Sequence, residues 1–364
     1  MTAPLVWFYP HGVLRERQLD VIRRWPRDRA LNPELAERTT GALAGARARP
    51  KAQRSGFLGR LPLPNVKRRP RALPADCAVY LFGGVVDRGP FVVDLDTPYA
   101  LTGYNLAALP MWRILLRRIL LSSRCLAIRC MSEACQRSLV LEFGTAIGAK
   151  SQVHYPQIAQ APAAQPPRAT RDPWDGPRFL FVGTQFEIKG GAALLRAFRD
   201  VCAALPTAQL DMVTHLPDDR LTLAEQPGVA VHPAGLGRAA LWQRFFSQAD
   251  VLVLPTYVES FGMVALEALA HGLAVIATDL YALPEMVRDG DNGALVRAPL
   301  SIWDGYRPGR LYRALDTAPE AAARLDTTAF EQTLTSAMIR FGDRDALAGA
   351  QAKSRRLYEE HFVR

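Results

Sequence analysis

The sequence contains few cysteines and no long apolar run. Its five cysteines are an odd number without any C-x-x-C pair, so they predict neither a disulfide framework nor a zinc site. No stretch reaches the roughly 18 to 20 apolar residues that a membrane-spanning helix needs. The first twelve residues lack the basic segment and apolar stretch of a secretion signal. We therefore expect a cytoplasmic protein whose cysteines are small buried thiols.

Acidic residues are absent between Glu37 and Asp76. The same stretch is punctuated by proline and glycine and holds ten basic residues: Arg38, Arg47, Arg49, Lys51, Arg54, Arg60, Lys67, Arg68, Arg69 and Arg71. This pattern predicts a solvated loop. Residues 1–158 hold 24 Lys and Arg against 11 Asp and Glu, whereas the rest of the chain holds 21 against 24. The basic charge therefore belongs to the first half.

Such a basic segment favours an anionic partner. Peripheral docking at the anionic inner face of the plasma membrane is one interpretation, and a loop that aids solubility or meets an acidic protein is the other. We expect no nucleic-acid partner, because the stretch has one aromatic residue, Phe57, and no recognisable nucleic-acid motif. Residues 111–130 combine apolar and arginine side chains, which fits either an interfacial helix or a core helix with a basic outer face.

A chain of 364 residues with 49% hydrophobic content can fill two cores. In the second half, short apolar runs alternate with helical patterns, which predicts a parallel sheet covered on both faces. The predicted strands are 179–184, 209–213, 229–232, 251–255, 274–279 and 293–296. Strand patterns around LVWFY, AVYLFG, PFVVDLD and LAIRCMS predict a second α/β domain in the first half.

Proline, alanine and glutamine dominate residues 159–177, which predicts a linker. The predicted organisation is an N-terminal domain at 1–158, this linker, a C-terminal domain at 178–342 and a final helix at 343–364. The final helix is predicted from apolar residues at near-helical spacing.

The most informative segment is ADVLVLPTYVESFGMVALEALAHG, residues 249–272. It predicts a buried strand, a short loop with Glu259, and a helix that starts near Gly262 and carries Glu267. In an open parallel sheet, ligands bind beyond the carboxyl ends of the strands, so Glu259 would border a ligand crevice. Four backbone amides at the helix start would favour an anion there, those of Phe261, Gly262, Met263 and Val264.

This segment resembles the donor-binding core of the retaining family 4 glycosyltransferases, in which Glu259 and Glu267 match the E-x7-E motif. The resemblance extends back through FLFVGTQFEIKGGAALLRAF and covers about 120 residues of the C-terminal half. It implies the GT-B fold: two facing Rossmann-like domains with parallel sheets and a cleft between them. It also implies transfer of a hexose from a nucleoside-diphosphate sugar to a glycan or lipid-linked acceptor, in bacterial polysaccharide or glycolipid synthesis. Neither a metal nor another cofactor is expected.

The resemblance assigns roles to individual residues. Lys189 would contact the donor diphosphate beside Gly183 and Thr184, Glu267 the ribose hydroxyls, and Glu259 the transferred sugar. The N-terminal domain would contribute Asp96 to the sugar site, with His11 and Gly12 bordering the donor or acceptor.

The sequence departs from the family pattern at several positions. Thr184 stands where an arginine is common, Asp96 where a histidine is common, and Tyr281, Ala282 and Leu283 where a glycine pair precedes Pro-Glu. These departures keep open a second hypothesis, a catalytically weak GT-B protein that serves as a binding or assembly subunit. The D-L-D triplet ending at Asp96 also resembles the metal-binding pair of the other glycosyltransferase fold, an interpretation that we disfavour, as we do a nucleotide-sugar epimerase.

Overall fold

The structure is a computed structural model that describes residues 3–10, 14–37, 63–158, 170, 174–312 and 318–363. The chain divides into two compact units, residues 1–159 and 160–364. Most of the predicted linker lies outside the described residues, as do His11, Gly12 and basic residues 38–60. The linker and its boundaries therefore stay predictions.

The N-terminal unit alternates strands and helices. Its strands are β1 (Val6–Phe8), β2 (Val66–Lys67), β3 (Ala78–Phe82), β4 (Val85–Val86), β5 (Phe91–Leu95), β6 (Cys125–Cys130) and β7 (Ser151–Val153). Its α-helices are α1 (Glu16–Arg24), α2 (Ala108–Leu121), α3 (Glu133–Phe143) and α4 (Thr145–Lys150). Short 3₁₀ helices occur at Arg27–Arg29, Pro33–Glu37 and Pro98–Thr102.

The main sheet of this unit is parallel, with strand order β1-β3-β5-β6-β7. Aliphatic and aromatic residues fill these strands because both faces of the sheet are buried. Phe8 and Tyr80, on neighbouring strands, are fully buried with ring centroids 5.1 Å apart. The described strands run across the sheet in chain order, so this part of the sheet contains no reversal of strand order.

The C-terminal unit has the regular alternation that the sequence predicts. Its strands are β8 (Arg178–Gly183), β9 (Gln209–Thr214), β10 (Val229–Pro233), β11 (Val251–Leu254), β12 (Ala274–Thr278), β13 (Gly293–Val296), β14 (Trp303–Asp304) and β15 (Arg307–Pro308). Its α-helices are α5 (Gly191–Ala204), α6 (Leu221–Ala224), α7 (Arg238–Leu241), α8 (Met263–Ala270), α9 (Leu283–Met286), α10 (Ala318–Ala323), α11 (Thr328–Ile339) and α12 (Arg344–His361).

The six-stranded parallel sheet of this unit has the order β10-β9-β8-β11-β12-β13. The order reverses between β8 and β11, which pair in parallel from Phe179 and Val251. Every residue of β11 and β12 is buried, so these continuous apolar runs form the centre of the core. A π-helix at Trp242–Phe246 follows α7 directly.

The last helix, α12, packs on the C-terminal unit. Asp343 caps it by accepting a hydrogen bond from the backbone N–H of Ala346 at 2.9 Å. Gln351 donates to the backbone carbonyl of Asp250 at 3.2 Å, and Ser354 lies 3.3 Å from the amide nitrogen of Asn292. These buried polar contacts attach α12 to the sheet.

The structure corrects one prediction for the basic stretch. Arg69 is not a solvated loop residue, because it is only 7% exposed. Its guanidinium donates to the backbone carbonyls of Pro74 at 2.6 Å and Cys77 at 2.7 Å. A pattern of loop residues predicts solvation, but it cannot show that one buried arginine donates to two backbone carbonyls of the same loop.

We predict that Arg69→Ala destabilises the protein by about 1 to 3 kcal/mol, because the buried carbonyl of Cys77 and the partly buried carbonyl of Pro74 lose their donor. Arg68→Ala is the matched control, since Arg68 is exposed and surface changes of this kind stay within about 0.5 kcal/mol. Urea unfolding of both variants measures the difference. Equal midpoints would show that the Arg69 hydrogen bonds contribute nothing to stability.

Candidate functional site

The candidate site lies at the reversal of strand order in the C-terminal sheet. In open parallel sheets, ligands bind at such a switch point, beyond the carboxyl ends of the two flanking strands. The flanking strands here are β8 and β11. The loop after β8 carries Lys189, and the loop after β11 carries Glu259. The fold therefore brings together two residues that are 70 positions apart in the chain.

The two loops are joined by their backbones. The N–H of Tyr257 donates to the carbonyl of Ile188 at 2.9 Å. Gly190 has a φ of +75°, and a Cβ atom there would lie 2.1 Å from the carbonyl oxygen of Pro255. Only glycine permits this close approach in a left-handed conformation. The glycine after Lys189 therefore determines how near the first loop comes to the second.

Lys189 and Glu259 form an ion pair in the resulting crevice. Nζ of Lys189 lies 2.9 Å from a carboxylate oxygen of Glu259, and the two side chains are 19% and 18% exposed. The same Nζ donates to the backbone carbonyl of Val258 at 2.8 Å. The lysine is thus held over the loop that carries its acidic partner.

Glu259 is ionised in this setting. Burial by itself raises the pKa of its carboxyl group, but the Lys189 ammonium and the backbone N–H groups of Ser260 and Phe261 outweigh burial and lower the pKa below 4.5. Two backbone amides of the loop before the helix therefore act on the protein's own carboxylate, and one of them, that of Phe261, was predicted to favour an anionic ligand.

Helix α8 starts directly after this loop. Gly262 precedes it with a φ of +91°, where a Cβ atom would lie 2.5 Å from a methyl carbon of Leu283. The first residues of α8, Met263 and Val264, place their N–H groups at the positive end of the helix dipole, which favours an anion. Gly183 at the end of β8 packs against the stem of Lys189, since a Cβ atom at Gly183 would lie 3.0 Å from its Cγ.

Glu267 lies on α8, about one turn after the first residue of the helix, and is 7% exposed. Its carboxylate accepts from Nε of Arg238 at 3.0 Å. The Arg238 guanidinium also lies 5.4 Å from the ring centroid of Trp242. Arg238 was not predicted as a site residue, because a single arginine at the start of a short helix has no distinctive sequence pattern. It adds a second cation beside the predicted ribose ligand.

The other predicted site residues belong to the N-terminal unit. Asp96 follows β5, where its carboxylate accepts from the hydroxyl of Tyr104 at 2.7 Å and from its neighbour Thr97 at 2.8 Å. Asp94, the other acid of the D-L-D triplet, bonds to Arg17 at 2.6 Å and Tyr80 at 3.0 Å. Within the described ranges, no group of three or more His, Cys, Asp or Glu residues is placed to hold a metal. His11 and Gly12 are outside those ranges.

The part of the chain that carries this site is similar to proteins of known function. Residues 176–303 match the model of the family described as Glycosyl transferases group 1. This part of the chain is similar to the group 1 glycosyl transferases. Both predicted donor-contacting loops, with Lys189, Glu259 and Glu267, lie within the matched range.

Curated relatives match between about a third and a half of the chain. A D-inositol 3-phosphate glycosyltransferase of Catenulispora acidiphila is 32% identical over 218 residues, which are 54% of this chain and 48% of that protein. A phosphatidyl-myo-inositol mannosyltransferase of Mycobacterium tuberculosis is 40% identical over 128 residues, 34% of each protein. The chain thus spans between a third and a half of the length of these relatives.

Solved structures show the fold of both units. The pneumococcal O-GlcNAc transferase GtfA in complex with UDP and GlcNAc has a TM-score of 0.53 at 13% identity, over 80% of this chain and 55% of that one. The Anabaena protein HepE in complex with UDP has a TM-score of 0.51 at 15% identity, over 78% and 74%. The prediction of an α/β GT-B fold with two parallel-sheet domains is confirmed.

We predict that Lys189→Met reduces stability by about 1 to 3 kcal/mol at neutral pH, because it removes a charge-assisted hydrogen bond. Part of this deficit disappears in acid. Glu259 has a lowered pKa in the folded protein, so its stabilising effect exists above its unfolded pKa and is lost as pH falls through the folded value.

Unfolding curves from pH 7 to pH 3.5 measure the deficit. The control is Lys189→Met in a Glu259→Gln background, where the deficit becomes independent of pH. A deficit that is independent of pH in both backgrounds would contradict the ion pair.

Proposed function

We propose that this protein is a glycosyltransferase that moves a hexose from a nucleoside-diphosphate sugar to a hydroxyl group of a glycan or lipid-linked acceptor, with retention of configuration. One observation supports this proposal most strongly: Lys189 and Glu259 meet at 2.9 Å at the switch point of the C-terminal sheet. Glu267, on the helix that starts there, lies within the same matched domain. A cation, two acids and a helix N-terminus suit a ligand with a diphosphate between two hydroxyl-bearing sugars.

The comparisons support the substrate classes. The relatives' names describe transfer to inositol 3-phosphate and phosphatidyl-inositol acceptors, and two solved neighbours hold UDP. We infer that the donor is a nucleoside-diphosphate sugar, with uridine as one candidate base. The acceptor is a hydroxyl of a glycan, an inositol phosphate or a lipid-linked sugar.

The chemistry follows from charge. As the bond between the anomeric carbon and the diphosphate breaks, negative charge grows on the departing phosphate oxygens. The acceptor oxygen bonds to the same face of the sugar, and the proton of the acceptor hydroxyl passes to the departing diphosphate. Lys189 and the N–H groups of Met263 and Val264 stabilise that growing charge. Donor binding gives Lys189 a second anionic partner, and Glu259 becomes available to accept hydrogen bonds from the sugar hydroxyls. This scheme does not require a bound metal ion.

We predict that Glu267→Ala weakens nucleotide-sugar binding by about 1 to 3 kcal/mol, because ribose hydroxyls lose their acceptor.

We predict that Lys189→Ala reduces kcat more than donor affinity, because the charge it stabilises grows only as the bond breaks. Calorimetry and transfer assays with several donors, in the presence of a strong chelator, measure both effects.

Three outcomes would contradict the proposal. Donor binding without turnover in the parent would favour the binding or assembly subunit. Unchanged affinity in Glu267→Ala would remove this residue from the site. Activity that a chelator abolishes and manganese restores would overturn metal independence.

We also propose that the N-terminal unit docks on an anionic lipid bilayer, where a lipid-linked acceptor would be met. Helix α2 packs Leu116 and Leu120 inward, but it also has an outer apolar stripe, in which Met111, Ile114 and Leu115 are 66%, 69% and 46% exposed. Arg118 continues the same stripe one turn further on. An outward stripe of large apolar residues beside arginines fits the boundary between lipid headgroups and acyl chains. No helix in the described part of the chain is long and apolar enough to span a membrane.

We predict that the parent co-sediments with anionic liposomes at low salt and that Ile114→Ser with Leu115→Ser abolishes this binding. The matched control is Leu221→Ser, which changes a leucine that is 50% exposed in the C-terminal unit. A second variant, Lys67, Arg68 and Arg71 to Ser, tests the basic stretch and leaves the buried Arg69 in place; each basic residue contributes about 1 kcal/mol near an anionic leaflet. Equal binding to neutral liposomes or at high salt would contradict the electrostatic part.

A further inference from the structure

Tyr281 adopts a backbone conformation that its residue type disfavours. It lies between β12 and α9 with a φ of +47°, in the left-handed region. A residue with a Cβ atom is strained there, which explains why glycine suits such a position. The resemblance drawn from the sequence also places a glycine pair in this loop. A tyrosine at this position needs a compensating interaction elsewhere.

The aromatic ring of Tyr281 provides that interaction. It stacks on the indole of Trp303 with ring centroids 4.1 Å apart and an interplanar angle of 16°. Both side chains are 7% exposed. The ring of Tyr312 makes a T-shaped contact with the same indole, with centroids 5.0 Å apart and an interplanar angle of 64°. Such contacts between buried rings stabilise one orientation of the indole.

The backbone of Trp303 is fixed as well. It lies in the hairpin formed by β14 and β15, where it pairs with Pro308. The hydroxyl of Ser301 accepts from the N–H of Trp303 at 2.9 Å and donates to its carbonyl at 2.8 Å. The indole therefore extends from a rigid segment.

The indole N–H is directed at the donor loop. Nε1 of Trp303 donates to the backbone carbonyl of Glu259 at 2.6 Å. Lys189 holds the side chain of Glu259, and Trp303 holds its main chain. The loop around Glu259 has no regular secondary structure, so these contacts take the place of a strand or helix in fixing the carboxylate.

We propose that Trp303, oriented by Tyr281, is a positioning residue that sets where the Glu259 carboxylate meets the transferred sugar. This proposal rests on the proposed function, because it assigns a task to the sugar-binding acid. Trp303 acts through Glu259 and need not contact the substrate. In the proposed function, the ribose binds Glu267 and the diphosphate binds Lys189 with the N–H groups at the start of α8, so we expect the affinity for the nucleoside diphosphate not to depend on this hydrogen bond.

The test compares Trp303→Phe with the parent. Phenylalanine keeps an aromatic ring for Tyr281 but removes the N–H. We expect nucleoside-diphosphate affinity to stay at the parent value, while nucleotide-sugar affinity and kcat/KM fall about two- to tenfold, the effect of one neutral hydrogen bond. Discrimination between donors that differ only in the sugar falls as well. Calorimetry and transfer assays provide these values.

Two further variants make the test specific. Trp174→Phe is the matched control, because the buried indole N–H of Trp174 has no hydrogen-bond partner, and we expect parental values. Tyr281→Gly relieves the backbone and keeps Trp303 but removes the stacked ring. We expect it to reduce nucleotide-sugar affinity without changing nucleoside-diphosphate affinity, which keeps the proposal testable if Trp303→Phe does not fold.

The outcomes separate this proposal from the proposed function. If the parent neither binds nor transfers from nucleotide sugars, the proposed function fails. If the parent does so and Trp303→Phe retains the parental ratio of nucleotide-sugar to nucleoside-diphosphate affinity, only the positioning proposal is overturned. In a Glu259→Ala background, Trp303→Phe is expected to have no further effect on that ratio, and an undiminished effect would show that Trp303 acts on another group.

Discussion

The parallel pairing of β8 with β11 is the constraint on which the site depends. These strands flank the reversal of strand order, so the loops that follow them open on the same crevice. Lys189 and Glu259 meet there because Gly190 lets the first loop approach the carbonyl of Pro255. The ion pair keeps a cation and an ionised acid together in a mostly buried setting, although each side chain would be better solvated apart.

Much of this arrangement could be predicted from the sequence. Continuous apolar runs such as residues 251–254 indicate central parallel strands, and the E-x7-E spacing around Gly262 indicates the start of a helix at the crevice. Contacts between residues that are far apart in the chain leave no such pattern in the sequence. Arg238 reaches Glu267 from 29 positions away, and Trp303 reaches Glu259 from 44. Tertiary packing alone determines these pairings.

In the N-terminal unit, too, the sequence predicted the strands but not the tertiary contacts. Its strands were predicted, but composition suggested that Arg69 was solvated, whereas the structure buries Arg69 and bonds it to the backbone carbonyls of Pro74 and Cys77. For α2, the sequence allowed either an inward or an outward apolar face. The structure places Ile114 outside and Leu116 inside, and only a packed neighbour could decide between them. The exposed stripe and the basic charge of this unit both favour an anionic lipid surface as the place where an acceptor is met.

The most direct test of the account is a crystal structure of the protein with a nucleoside-diphosphate sugar. The account predicts the diphosphate between Nζ of Lys189 and the N–H groups of Met263 and Val264, the ribose against Glu267, and the sugar hydroxyls within hydrogen-bond distance of Glu259. A donor bound away from the ends of β8 and β11, or bound there with Glu259 turned away from the sugar, would contradict it.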